Sequence, residues 1–134
     1  VKLFVFGTLK RGFALHEKGL IGATYLGRYR TGQPYPMVIA GQWYAPMMIN
    51  RPGDGMRVWG ELYEVEADRF AILDALESVG NPGNFRIAID VVPDAGGSSI
   101  RAIVYMKAAE LAVPLHSQPL AEFLDRRFVP QWEQ

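Results

Sequence analysis

Apolar residues recur with a period of two in the second half of the chain. Phe85, Ile87, Ile89 and Val91 alternate with Arg86, Ala88 and Asp90, and after Asp94-Ala95-Gly96-Gly97-Ser98 the chain resumes as an apolar run from Ile100 to Met106. Alternate side chains of a strand face opposite sides, so this pattern predicts a half-buried strand rather than a helix. The glycine-rich break between the runs makes them a hairpin with a loose turn. Arg57 to Val65 follows the same rule, with Val58, Gly60 and Leu62 on one face and Trp59, Glu61, Tyr63 and Val65 on the other. Leu3 to Phe6, ended by Gly7, is a short buried strand, and Ala23 to Arg30 and Pro36 to Ala40 are further strands. Gly41 to Gly55 mixes aromatic and Met residues with Pro and Gly, an irregular apolar loop with one strand around Met47 to Asn50. Helices are expected only at Ala67 to Glu77 and Pro119 to Phe128. Strand signals therefore dominate, and the expected fold is an α+β domain on a mixed sheet or barrel.

A length of 134 residues with 49% hydrophobic content suits one domain, residues 1–134, with a real core. Fourteen Lys and Arg balance fourteen Asp and Glu. Such a chain has no long-range field to gather phosphate polymers or anionic membranes, so no nucleic-acid or membrane partner is expected. No apolar run reaches the ~20 residues of a membrane helix. The absence of Cys excludes disulfides, thiolate metal sites and a Cys nucleophile. A cytoplasmic setting is the default, while the start at Val1 leaves a lost targeting segment open. His16 and His116, far apart and without metal-ligand spacing, predict no metal site, and Ser98 and Ser99 lack the elbow of a serine hydrolase.

Two segments carry candidate chemistry. In Asp68 to Glu77, Phe70, Ile72, Leu73 and Leu76 share a broad helical face, with Asp74 at its border, and Glu77 falls between Phe70 and Leu73 on the same arc. A carboxylate placed there points inward, and burial raises its pKa toward the range useful for proton transfer. The competing reading is that Glu77 ends the helix and turns to water, because Ser78 to Asn84 is loop. Further upstream, Gly7 and Gly12 bracket Thr8-Leu9-Lys10-Arg11, so a buried strand opens into a turn whose backbone N–H groups can converge on an oxygen anion. The plain alternative is a β-turn bearing two solvated cations. Phe13 stands where a Walker loop needs Lys.

Taken together, Phe4-Val5-Phe6-Gly7-Thr8-Leu9-Lys10-Arg11-Gly12, Tyr35-Pro36-Met37-Val38, Val58 to Val65 and Leu73-Asp74-Ala75-Leu76-Glu77 resemble, in order, the blocks of gamma-glutamylcyclotransferase-like proteins, over about Leu3 to Met106. The resemblance implies a small mixed β-barrel with flanking helices, a cavity at its mouth, and neither metal nor organic cofactor. It implies an enzyme that releases 5-oxoproline from a γ-glutamyl amine or peptide, the α-amine attacking its own γ-carbonyl. Glu77 matches the catalytic acid/base, Phe6, Gly7, Thr8 and Leu9 match the substrate-binding loop, and Tyr105 matches a strand Tyr that can face the cavity.

The chain departs from that pattern in two places. Phe6 stands where the family has Tyr, and Asn84 replaces the Tyr of Tyr-x-Arg, although Arg86 matches. Both changes favour an alternative in which the fold is a non-catalytic ligand-binding or protein-interaction module. For an enzyme, the aromatic segment Gln42 to Met48 and the loop Ser78 to Asn84 are expected to meet the leaving group, favouring a partly apolar γ-glutamyl amine over glutathione. Trp132 and the apolar edge of the C-terminal helix allow a dimer contact, so the expected state is a monomer or weak homodimer.

Overall fold

The computed structural model describes residues 1–134. Seven strands form: β1 (Lys2–Val5), β2 (Thr24–Thr31), β3 (Met37–Ala40), β4 (Ala45–Met48), β5 (Trp59–Glu64), β6 (Asn84–Pro93) and β7 (Ile100–Lys107). Five of them close a barrel in the order β1-β5-β2-β6-β7, while β3 and β4 make a separate hairpin. The barrel is mixed because β1 meets β7 in parallel at Leu3 and Ile103, whereas the other pairings are antiparallel. The fold is α+β, with two helices, α1 (His16–Leu20) and α2 (Phe70–Leu76), the latter preceded by a 3₁₀ turn at Ala67–Arg69.

Alternation along the strands sorts two cores. Phe4, Leu62, Val91, Val104 and Met106 point into the barrel, where Met37, Ile39 and Met48 of the β3–β4 hairpin join them. Leu3, Val5, Tyr63, Val65 and Tyr105 point outward and are covered by Leu20 of α1 and by Phe70 and Leu73 of α2. The two helices approach closely at Gly19, where a Cβ would lie 2.5 Å from Leu9 Cδ2 and 3.2 Å from Leu73 Cδ2.

The expected helix at Pro119 to Phe128 does not form. That segment is an irregular strap whose backbone bonds to other elements: Leu120 N–H donates to the Met37 carbonyl, and the Ala121 carbonyl accepts from Trp59 N–H. Phe123 is 0% exposed within the barrel core, while Leu124 of the supposed apolar stripe is 67% exposed. A ten-residue apolar stripe is marginal as a helix on its own, and plugging the barrel with Phe123 decides the conformation. Likewise Ile72 is exposed, because α2 seats on the barrel through Phe70 and Leu73 alone among its fully buried residues. The strand expected near Met47 to Asn50 begins earlier, at Ala45, in register with Ala40. The short helix α1 carries no long apolar period and was not expected.

Candidate functional site

The helix α2 ends at Leu76, with Glu77 as its C-cap. Ser78 takes a left-handed φ of 58°. Its N–H donates to the Ala75 carbonyl, and Val79 N–H donates to the Asp74 carbonyl, the paired bonds of a Schellman closure. Glu77 thus does end the helix, yet its side chain faces the protein rather than open water. The residue keeps some exposed surface, but the carboxyl group itself is enclosed. Burial pushes its pKa above the usual carboxylate value, an effect partly countered by Lys107. Enclosure of the carboxyl governs its titration, so the upward direction stands.

Asp74, one turn earlier, fixes this helix end. Its carboxylate accepts a forked pair from Arg86, Nε at 2.9 Å to Oδ1 and a second nitrogen at 3.4 Å to Oδ2. It also accepts the Tyr105 hydroxyl at 2.7 Å. Burial, then the bond to Asp74, raises the Tyr105 pKa. The hydroxyl of Tyr105 is therefore engaged with Asp74, and its ring forms part of a cavity wall.

After β1, Phe6 points into the barrel core and Gly7, Thr8, Leu9 and Lys10 are all buried. Gly7 is not in the left-handed region; glycine is needed there because a Cβ would lie 2.6 Å from Pro46 Cγ. The turn is held by Lys10 N–H on the Gly7 carbonyl and Leu15 N–H on the Thr8 carbonyl, while the N–H groups of Gly7, Thr8 and Leu9 donate to nothing in the protein. Three consecutive unpaired donors in a buried turn are unusual, since buried backbone groups are nearly always paired. Lys10 is not a solvated cation as its plain reading held: it is 6% exposed and its Nζ donates to the Phe123 carbonyl at 2.8 Å.

These groups border one recess with two compartments. The narrow one, about 30 Å³, is lined by Phe6, Gly7, Thr8, Leu9, Glu77 and Tyr105, together with neighbours from β1, β4 and β7. The wider one, about 320 Å³, adds Trp43, Ser78, Asn81, Phe128 and Trp132. Thr8, Pro46, Glu77 and Lys107 line both. The structure thus brings Phe6, Gly7, Thr8, Leu9, Glu77 and Tyr105 together on one recess, while Asn84 and Arg86 stand outside its lining. Tyr44 lies elsewhere, stacked on His116 with ring centroids 4.2 Å apart. His116 Nε2 is 2.9 Å from the Gly41 carbonyl and His16 Nδ1 2.9 Å from that of Leu9, and no cluster of three or more metal-ligating side chains occurs. No helix is long and apolar enough to cross a membrane.

Lys107, the last residue of β7, is the charged lining residue that the sequence did not single out. The signal was available: it lies two residues beyond Tyr105 and so on the same face of the strand. Burial lowers its pKa, and Glu77 acts in the opposite direction.

Residues 3–124 match the family described as "Gamma-glutamyl cyclotransferase, AIG2-like". A gamma-glutamylaminecyclotransferase of Bos taurus is 46% identical over 80 residues, covering 57% of this chain and 48% of that protein. For the Homo sapiens gamma-glutamylaminecyclotransferase the match is 44% identical over 80 residues and covers 52% of that protein, so the match spans about half of these relatives. The Rattus norvegicus gamma-glutamylaminecyclotransferase is 39% identical over 119 residues, covering 79% of this chain and 77% of that one. The crystal structure of an AIG2-like protein from Mus musculus superposes with a TM-score of 0.80 and 32% identity, over 99% of this chain and 97% of that one. The family match over residues 3–124, the relatives and the superposition on the AIG2-like protein place the chain in the gamma-glutamyl cyclotransferase, AIG2-like family.

Proposed function

We propose that the recess is the active site of a cyclotransferase that releases 5-oxoproline from a γ-glutamyl amine or peptide, with Glu77 as general acid and base. The observation that carries this reading is the meeting, on one cavity, of an enclosed carboxyl of raised pKa and three unpaired backbone N–H groups. The relatives named gamma-glutamylaminecyclotransferase support the same chemistry.

In this mechanism the Glu77 carboxylate takes a proton from the substrate's α-ammonium, and the freed amine attacks the γ-carbonyl carbon. A new C–N bond closes the five-membered ring while the carbonyl electrons move onto oxygen. The N–H groups of Gly7, Thr8 and Leu9 stabilise that oxyanion, and fixed donors of this kind act where charge develops. The proton held by Glu77 passes to the leaving nitrogen, the old C–N bond breaks and the carbonyl re-forms; Glu77 then takes the second proton from the ring nitrogen and the released amine carries it away as an ammonium. Ring closure is intramolecular, so the protein's task is to orient the substrate and move protons. No covalent intermediate on the protein is required. Phe6 contributes an apolar wall without a hydroxyl.

The wider compartment receives the leaving group. Trp43, Phe128 and Trp132 line it along with Gln131 and Asn81, surfaces that suit a partly apolar amine better than the anionic dipeptide of glutathione. A panel of γ-glutamyl amines, γ-glutamyl amino acids and glutathione, assayed for 5-oxoproline, tests the reading. Release from the amines at a higher kcat/KM than from glutathione is expected. Binding of the panel without turnover would favour a non-catalytic ligand-binding module instead.

A further inference from the structure

Lys107 is the only cationic side chain on either compartment of the recess, and Glu77 is the only acidic one. Each shifts the titration of the other, yet no ion pair within 4.0 Å joins them. Two opposite charges therefore border one cavity without neutralising each other by contact. The Lys107 ammonium is anchored from the side: Nζ donates to Asn84 Oδ1 at 2.5 Å. Asn84 is its cross-strand partner at the start of β6 and is itself held by Nδ2 donating to the Asn81 carbonyl at 3.3 Å. An ammonium has three N–H donors, so one is used in the anchor and two remain.

We propose that Lys107 binds the α-carboxylate of the γ-glutamyl group, and that Asn84 positions its ammonium to do so. The inference rests on the cyclotransferase reading and adds a division of labour to it. A γ-glutamyl head carries an α-ammonium and an α-carboxylate on one carbon. Glu77 faces the ammonium it must deprotonate, Lys107 faces the carboxylate, and the turn at Gly7 to Leu9 is left for the γ-carbonyl oxygen. This gives the Asn84 departure a function: an amide that accepts from Lys107 stands where the family pattern has Tyr.

The test compares a γ-glutamyl amine with its α-carboxamide analogue, which keeps the reacting groups and loses only the α-carboxylate charge. Wild-type protein should prefer the carboxylate substrate by about 100-fold in kcat/KM, the range of a hydrogen bond to a charged group. In Lys107→Met that ratio should fall to within about threefold of unity, and Lys107→Arg should restore part of it. Asn84→Ala should raise KM for the carboxylate substrate more than it lowers kcat. An unchanged ratio in Lys107→Met would overturn the proposal. Binding of 5-oxoproline and of its carboxamide to the same proteins, followed by calorimetry, separates this claim from catalysis. Should no protein turn over substrate, the cyclotransferase reading fails, while tighter binding of 5-oxoproline than of its amide, lost in Lys107→Met, still supports the Lys107 site. Equal binding of the two, or no binding of either, would overturn it.

Discussion

The Tyr105 hydroxyl donates a 2.7 Å hydrogen bond to Asp74 Oδ1, tying β7 to α2 one turn before Glu77. The helix has only seven residues, too few to be stable alone. Its placement, and that of Glu77, depends on this contact, on the Arg86 fork and on the buried Phe70 and Leu73. Removing the hydroxyl leaves Asp74 with one partner fewer in a half-buried setting. Tyr105→Phe should lower unfolding free energy by about 1.5–3 kcal/mol, the range for a hydrogen bond to a charged group, measured by urea denaturation. A variant as stable as wild type would show that α2 is held by apolar contacts alone.

Gly7 is required by proximity rather than by backbone angle. An added Cβ meets Pro46 Cγ at 2.6 Å and Pro46 Cβ at 3.1 Å. Gly7→Ala should therefore cost about 1–3 kcal/mol as overpacking and lower kcat/KM by moving the N–H groups, and Gly7→Val should be worse. Pairing Gly7→Ala with Pro46→Ala removes the nearer clash and should recover most of the loss. Thr8→Ala keeps the backbone donor and should be mild. Normal folding and kinetics for Gly7→Ala with Pro46 in place would remove the turn from the mechanism.

Ser78 occupies a left-handed conformation at φ 58° in order to close α2. An L-residue pays about 1–2 kcal/mol there, and glycine avoids this at some cost in unfolded-chain entropy. Ser78→Gly should stabilise the protein by about 0.5–1 kcal/mol in thermal and urea unfolding. Destabilisation would mean that the Ser78 side chain makes a contribution larger than the conformational strain.

Glu77 sets a pH dependence with a definite sign. Its folded pKa lies above the ordinary 4.5 because of burial, with Lys107 acting against the shift. As pH rises past 4.5 the unfolded chain releases this proton first, so the Glu77 contribution to stability declines through the folded pKa and then levels off. Glu77→Gln does not ionise. Its stability relative to wild type should rise from pH 4 upward, while loss of the countercharge to Lys107 offsets part of the gain at neutral pH. A difference that does not change between pH 4 and 7 would contradict an enclosed carboxyl.

The barrel was legible because its strands obey a period of two: Phe85 to Val91, Ile100 to Met106 and Val58 to Leu62 display their inner and outer faces in the sequence. Of the residues on the recess, Gly7 to Leu9 and Glu77 stood out by the turn and the helical arc, each with a plain alternative beside it, whereas Phe6 and Tyr105 were named through the family resemblance alone. The strap at Pro119 to Phe128 was not, because Leu120 and Phe123 at helical spacing also suit an irregular segment that plugs a barrel, and only the tertiary partners Met37 and Trp59 decide between them. Lys10 was misread because local sequence carries no sign of its partner at Phe123, over a hundred residues away. Glu77 divided the two sequence readings, since a C-cap both ends its helix and, here, turns inward.

Whether Glu77 moves the protons of 5-oxoproline formation is read from 5-oxoproline release from a γ-glutamyl amine by wild type and Glu77→Gln, each first shown to be folded by circular dichroism. A fall in kcat of about 10²–10⁴-fold for Glu77→Gln is expected from loss of general acid–base catalysis. Equal turnover by the two proteins would remove Glu77 from the chemistry.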